Sequence, residues 1–140
     1  MKNIVISTVL LLIVVGFGAG EAASAQSSRP LSATPKSFQL FYAKFRQAIV
    51  ARDKTTVASM TRFPFKYGFD AGDEGTFSRT QFLKRYNDFL GGELGIFARR
   101  SPAFYASAGR FELVDETDAS HYIFEKRGAS YQFTSYLSEP

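Results

Sequence analysis

Two parts of the chain carry apolar residues at steps of three and four, the spacing that places them on one face of an α-helix. The first helix is predicted from Thr34-Pro35, with the hydroxyl as N-cap and the proline at the first helical position, to near Arg52. Another is predicted from Ser78, which has capping-box spacing to Gln81, to Gly91-Gly92. The inward positions are Phe38, Phe41, Tyr42, Phe45, Ala48 and Ile49 in the former, and Phe82, Leu83, Tyr86, Phe89 and Leu90 in the latter.

Between these helices the period of the pattern changes. Asp53 is the predicted N-cap of a short helix through Met60. In residues 63–69 aromatic side chains fall at every second position, as in a strand with one buried face. Pro64 has no amide proton for a sheet ladder, so this strand is predicted to begin at Pro64 or to lie at an edge. Residues 70–75 predict a loop rich in turns.

The last third of the chain predicts strands, because runs rich in β-branched and aromatic residues alternate with short turns. The strands are predicted at residues 110–115, 121–126 and 131–137, and their short connections favour an antiparallel meander. For Ile96 to Arg100 a strand and a helical turn both remain open, and Pro102 ends that segment. The predicted fold class is α+β, with three helices from the N-terminal half packed on an antiparallel sheet.

The first 25 residues differ from the rest and predict a secretory signal peptide. Lys2 supplies a basic start, residues 4–17 an apolar segment, and Ala23-Ser24-Ala25 the small side chains of a cleavage site before Gln26. An uncut membrane anchor is the alternative, but the apolar run is shorter than the about 20 residues that a span requires. We therefore expect export to the periplasm or outside the cell, a flexible lead-in at 26–33, a domain at 34–140, and no stable membrane anchor after cleavage between Ala25 and Gln26.

Composition narrows the chemistry that the chain can support. The sequence has 140 residues, no cysteine and a formal net charge of +4, so neither disulfides nor a lipidated cysteine are expected. The basic residues are scattered, whereas nucleic-acid binding proteins usually gather them on one face, so we expect no nucleic acid as a partner. His121 is the only histidine, which excludes a site with several histidine ligands. No phosphate loop, nucleophile elbow or zinc spacing occurs, and we expect neither a metal nor a cofactor.

The predicted elements follow the order helix, short helix, aromatic-proline-aromatic strand, helix and antiparallel strands. Three stretches within this order carry a resemblance to a known family. They are residues 41–49 (FYAKFRQAI), Arg52-Asp53-Lys54 and Phe63-Pro64-Phe65. From Phe38 to Leu137 this order resembles the nuclear transport factor 2-like superfamily, which includes the ketosteroid isomerases and the polyketide-cyclase-like proteins. The resemblance implies a cone in which the sheet wraps around the first helix, with a cavity that serves as an active site, as a pocket for small apolar molecules or only as a core. It also makes a homodimer through the sheet plausible.

Enzymes that this chain resembles often use a carboxylate base inside the cone, together with a group that stabilises an oxyanion. Asp115 is the candidate base, because alternation places it on the same side of its strand as apolar residues. Tyr42 or Tyr131 is the candidate hydrogen-bond donor. Turn chemistry also favours an aspartate at the end of a strand, so a purely structural role for Asp115 is the alternative. The alternation of His121 predicts that it faces outward, away from such a site.

The leading hypothesis is a domain without catalytic activity that binds a small apolar molecule, or an envelope protein, through the cone or the exposed face of the sheet. Abundant aromatic residues favour it, since no acid-base set is identifiable. Aromatic residues at these spacings are also what a core without disulfides requires. The alternative is an isomerase, dehydratase or cyclase-like enzyme. The candidate cavity-lining residues are Tyr42, Phe45, Phe65, Tyr86, Phe111, Phe133 and Ser135.

Overall fold

The structure is a computed structural model that describes residues 27–69 and 72–139. Three helices pack on a curved, open sheet of seven strands, which confirms the α+β class. The predicted signal peptide and its cleavage site between Ala25 and Gln26 lie outside these residues. No helix in the two described ranges is long and apolar enough to cross a lipid bilayer.

The three helices begin and end close to the predicted positions. They are α1 (Lys36–Val50), α2 (Lys54–Ser59) and α3 (Arg79–Phe89). The side chain of Asp53 accepts the Thr56 amide at 3.0 Å and so caps α2 as predicted. Ser78 and Gln81 form the predicted capping box at the start of α3. Each cap satisfies amides that the first turn of a helix leaves without a partner.

The predicted N-cap of α1 is wrong. Pro35 occupies the N-cap position, and its carbonyl accepts the amides that open the helix. The hydroxyl of Thr34 instead donates to the carbonyl of Leu31 at 2.6 Å. It does so because a 3-10 turn, Leu31–Ala33, directly precedes the helix and brings that carbonyl within reach. The segment predicted as a lead-in therefore contributes ordered backbone in front of α1.

The seven strands form one sheet in which the predicted meander is confirmed. They lie in the order β1-β4-β5-β6-β7-β2-β3, and every neighbouring pair is antiparallel except β7 and β2, which run parallel. The sequence did not predict β1, β3 and β4, because strands of three, four and five residues are too short to show a period. The predicted loop at 70–75 is wrong at Glu74 and Gly75, which belong to β3. The strands are β1 (Ser28–Pro30), β2 (Thr61–Gly68), β3 (Glu74–Phe77), β4 (Ala103–Ser107), β5 (Arg110–Asp115), β6 (Ser120–Arg127) and β7 (Ser130–Ser138).

The prediction that the proline-containing strand begins at Pro64 or lies at an edge is also wrong, because β2 begins at Thr61 and lies inside the sheet between β7 and β3. The ladder is interrupted around Pro64 on both sides. Pairing with β7 shifts its register between Thr61 and Lys66, and pairing with β3 begins at Phe65. A residue without an amide proton is tolerated there because no ladder bond is required of it.

A bulge in β7 changes which of its residues face the core. The pairing of β6 with β7 shifts register between Ile123 and Phe124, and Thr134 is the extra residue. Beyond Thr134 the inward alternation moves by one position. Tyr136 is consequently buried with 6% of its surface exposed. Ser135, which simple alternation places inward, lies on the other side of the strand.

The core is a continuous layer of aromatic rings between α1 and the inward face of the sheet. Phe38 is fully buried, and its ring stacks on Phe111 with the centroids 4.1 Å apart. The rings of Phe104 and Tyr131 meet it edge-on, each at a centroid distance of 5.1 Å. Burial of one such side chain contributes about 1.5–3 kcal/mol. These contacts therefore account for much of the attachment of α1 to the sheet.

We expect Phe38→Ala to lower the free energy of unfolding by about 3–5 kcal/mol, because it removes a ring packed on all sides by other rings. Leu40→Ala is the matched control, since Leu40 lies on the same helix with 56% of its surface exposed. Its expected cost is below about 1 kcal/mol. Urea denaturation followed by far-UV circular dichroism measures both values. Equal losses would show that the inward rings do not attach α1.

Candidate functional site

An open cleft of about 430 Å³ lies at one end of the sheet, where β5, β6 and β7 meet the C-terminal end of α3 and the 3-10 turn Gly95–Ala98. This volume is within the range of about 300–1,000 Å³ that small-molecule sites have. The lining consists of Asn87, Asp88, Phe89, Gly92, Glu93, Gly95, Ile96, Arg99, Asp115, Thr117, Asp118, Tyr122 and Tyr136. The cleft is therefore a concave surface of ligand size, built from three separate parts of the chain.

Three buried rings form the floor of the cleft: Phe89, Tyr122 and Tyr136. The ring centroid of Tyr136 lies 5.4 Å from that of Phe89 and 5.3 Å from that of Tyr122. The hydroxyls of the two tyrosines form hydrogen bonds within the protein. That of Tyr136 lies 2.9 Å from Ser120 Oγ, and that of Tyr122 donates to the Phe89 carbonyl at 3.4 Å. Burial raises the pKa of Tyr122 well above its ordinary value. The floor of the cleft is consequently aromatic and uncharged at neutral pH.

Asp115 is buried in the wall of the cleft, and both of its carboxylate oxygens already accept hydrogen bonds. Oδ2 accepts the Ile96 amide at 2.9 Å, and Oδ1 accepts the Thr117 amide at 3.1 Å. The backbone of Gly95 fits closely against this carboxylate. Its φ is 51°, and a Cβ there would lie 2.8 Å from Oδ2 of Asp115. Asp115 thus fastens the 3-10 turn to the turn that follows β5.

The charges that line the cleft are predominantly negative, although the whole chain has a net charge of +4. Four carboxylates stand against the single guanidinium of Arg99. Asp88 is paired with Arg85, whereas Glu93 and Asp118 are exposed at the rim. The fourth carboxylate is that of Asp115. A positively charged group is therefore attracted to this cleft, while an anion is repelled.

The structure does not bring together the residues predicted as a base and as a hydrogen-bond donor. Asp115 pairs with β6 at Ser120, whereas Tyr131 pairs with β6 at Lys126. These positions are about 20 Å apart along a strand. Tyr42 is fully buried and is not part of the cleft lining. Its hydroxyl has no hydrogen-bond partner in the part of the chain that the structure describes.

The residues predicted to line a cavity are placed in the core, except for Ser135. The ring centroid of Phe133 lies 4.7 Å from that of Phe65 and 5.2 Å from that of Phe45. Rings at such distances are in direct contact. The aromatic members are Tyr42, Phe45, Phe65, Tyr86, Phe111 and Phe133, none of them more than 5% exposed. None of the seven predicted residues lines the cleft.

His121 lies on the outer face of the sheet, as its alternation indicated. Its Nδ1 lies 2.6 Å from Oε1 of Glu112. The same carboxylate also meets the guanidinium of Arg110, at 3.3 Å. Together with Tyr105 and Val114, His121 and Glu112 line a shallow depression of about 250 Å³. The histidine is therefore engaged on the face opposite to that of Asp115.

The sequence pattern does not single out the two tyrosines of the floor. Alternation in β6 places Tyr122 inward, as observed, but in a row with Phe124 that is typical of a core. Tyr136 is harder to assign, because the bulge at Thr134 has no clear sequence signal and simple alternation places Tyr136 outward. The one available signal is the position of Tyr122 beside the turn that contains several acidic residues.

Comparison with known proteins adds no assignment, since no family model matches the chain and no curated protein matches it in sequence. Across residues 27–69 and 72–139, no group of three or more histidine, aspartate or glutamate side chains is arranged to hold a metal ion. The shape, the rings and the charges of the cleft are therefore the features that bear on its function.

We expect Gly95→Ala to lower the free energy of unfolding by about 1–2 kcal/mol, because the new Cβ meets Asp115 and the positive φ is unfavourable for alanine. Gly92→Ala is the matched control in the same segment, where an added Cβ meets no atom within 4 Å. Its expected effect is within about 0.5 kcal/mol. Urea denaturation measures both. Indistinguishable values would mean that the contact between Gly95 and Asp115 does not shape the cleft.

Alkaline pH should destabilise the protein through its buried tyrosines. Burial raises the pKa of Tyr42 well above its ordinary value of 10.0, so the folded state keeps a proton that the unfolded chain loses. This stabilisation is fully present below about pH 10 and is lost as the pH rises from there towards the folded pKa. We expect Tyr42→Phe to reduce the fall in unfolding free energy above pH 10 by about 1.4 kcal/mol per pH unit. Urea denaturation at pH 9 to 11 tests this, and parallel curves for the two proteins would contradict it.

Proposed function

We propose that the protein is a binding domain without catalytic activity, whose cleft takes a small molecule with an apolar body and a positively charged amine. The observation that carries this proposal is the combination of three buried aromatic rings and four carboxylates in one cleft of about 430 Å³. Only one guanidinium opposes those carboxylates. Ring faces and carboxylates together are the surroundings that an organic cation prefers.

Each part of such a ligand has a matching surface. The faces of the floor rings are apolar and carry the negative side of the ring quadrupole, which attracts a cation by about 0.5–2 kcal/mol. Glu93 and Asp118 at the rim add a Coulomb attraction of up to about 1 kcal/mol each, because they are exposed to solvent. The carboxylate of Asp115 is fixed by two amides and contributes a negative charge that does not reorient. The apolar body of the ligand is thus expected on the floor and the amine towards the rim.

The sequence predicts a small apolar ligand in a cavity of the cone, and this proposal changes both the site and the charge of the ligand. Aromatic rings in contact fill the region around α1 where a cavity was expected, so the proposed site is the cleft and the proposed ligand carries a charge. The enzyme hypothesis lacks comparable support, because Asp115, Tyr42 and Tyr131 do not share the cleft. Export, an envelope protein as partner and a homodimer remain predictions.

The cone architecture of the nuclear transport factor 2-like superfamily belongs to the same proposal. Its support is the order of elements, in which α1 and α2 precede β2 and β3, α3 follows, and the meander comes last. The position of α1 against the inward face of a curved sheet also agrees with a cone. In such an architecture the cleft corresponds to the open end.

The test uses a panel of primary and quaternary amines with aromatic or aliphatic bodies, each paired with its neutral alcohol. Thermal unfolding selects the compounds that stabilise the protein, and NMR titration with ¹⁵N-labelled protein locates them. We expect the amines to raise the unfolding temperature and the alcohols to do so far less. The amide signals of Gly92, Gly95 and Thr117 should shift on binding.

Charge-neutralising variants at the rim sharpen this test. Glu93→Gln and Asp118→Asn are each expected to weaken amine binding about two- to fivefold. Glu116→Gln is the matched control, because Glu116 belongs to the same turn as Asp118 but does not line the cleft. Equal binding of amines and alcohols would show that the positive charge of the ligand does not contribute to binding. A panel without any compound that shifts the cleft signals would overturn the binding function at this site.

A further inference from the structure

A second concave surface lies at the opposite end of the meander and carries the opposite charge. Its volume is about 260 Å³, and it lies where the turn between β4 and β5 approaches the turn between β6 and β7. Four cationic side chains line it, accompanied by the single carboxylate of Glu125. These four, which define the basic groove, are Arg62, Arg110, Lys126 and Arg127.

Most of the charge in the basic groove is free to meet a ligand. Arg62, Lys126 and Arg127 are exposed, and none of them forms an ion pair with another residue of the described ranges. Arg110 is partly engaged, since its guanidinium lies 3.3 Å from Glu112. Four cations minus the one carboxylate leave three positive charges in the groove. Like charges held this close repel one another, and an anion between them relieves that repulsion.

The backbone beneath the basic groove consists of two tight turns joined by a hydrogen bond. The amide of Lys126 donates to the carbonyl of Gly109 at 2.7 Å, which joins β6 to the turn between β4 and β5. Gly109 has a φ of 70° and Gly128 a φ of 58°. Such values favour glycine in tight hairpin turns. The cationic side chains therefore project from two short hairpins and a strand rather than from long loops.

From this arrangement we infer that the basic groove binds a phosphate ester. A phosphate group presents several oxygens to surrounding donors, and the planar fork of an arginine matches two of them at once. The volume of about 260 Å³ also leaves room for the group esterified to the phosphate. A soluble phosphorylated molecule and the head group of an anionic lipid share this chemistry. The groove is remote from the cleft, so this inference does not depend on the proposed amine site.

The experiment has one arm for each source of phosphate. In solution, glycerol 3-phosphate is titrated into ¹⁵N-labelled protein, with glycerol and sodium chloride at equal ionic strength as the reference. On membranes, the protein is sedimented with phosphatidylglycerol vesicles and with phosphatidylcholine vesicles. We expect the amide signals of Gly109, Lys126 and Gly128 to shift with glycerol 3-phosphate, or the protein to sediment with the anionic vesicles alone. Signals of Gly92 and Gly95 in the cleft serve as internal controls.

Two triple variants distinguish binding in the basic groove from attraction by the net charge of the protein. One triple variant removes the three exposed cationic side chains of the basic groove, by the substitutions Arg62→Gln, Lys126→Gln and Arg127→Gln. The matched control is Arg79→Gln, Lys84→Gln and Arg100→Gln, all exposed and outside the groove. Both triples lower the net charge from +4 by three, to +1. We expect the groove triple to weaken binding at least about tenfold and the control triple less than about twofold.

A charge-conserving variant guards against loss of folding as the cause. Arg62→Lys combined with Arg127→Lys keeps the charge but removes the planar forks, and it should retain more binding than the groove triple. Thermal unfolding of every variant verifies that the fold is intact. Binding in either arm that depends on the groove supports the inference, and the arm identifies the source. Equal weakening by the two triples, or no binding in either arm, overturns it.

Discussion

The contact between the aromatic face of α1 and the inward face of β5, β6 and β7 is the interaction on which the rest of the structure depends. Phe38 and Phe45 belong to one helix, yet their rings touch rings from all three strands of the meander. Without cysteines, no covalent link replaces this packing. The sheet curves over α1 because the rings between them must remain in contact along its whole length.

This packing also determines where polar chemistry can occur. A layer filled by rings has no place for an unpaired charge, so the charged groups gather where strands end. At one end the last residue of β5 and the turn after it supply Asp115 and Asp118 to the cleft, and at the other the β4–β5 hairpin supplies Arg110 and the β6–β7 hairpin supplies Lys126 and Arg127 to the basic groove. The two ends thereby acquire opposite charge. The dipolar distribution follows from the topology of the meander and needs no charged residue in the interior.

Local rules predicted those parts of the fold whose signals are local. The caps at Asp53 and Ser78, the inward rings of α1 and α3, and the bounds of β5 all follow from spacing along a few residues. What the sequence did not predict depends on partners distant in the chain. The bulge at Thr134 is defined by the register with β6, and it decides that Tyr136 rather than Ser135 reaches the inward face. For that reason the sequence predicts Asp115 as a residue of the candidate site, but it does not predict that Tyr136 lines the same cleft.

The parallel pairing of β7 with β2 has a consequence for the synthesis of this protein. β7 lies between β6 and β2, although it is translated after every other strand described. Until it emerges from the ribosome, β2 and β3 have no neighbour through which to join the meander. A nascent chain can form its helices and its hairpins early, but it cannot close the sheet. Contacts of this long range slow folding, and the edges of β2 and β6 stay exposed until β7 pairs with both.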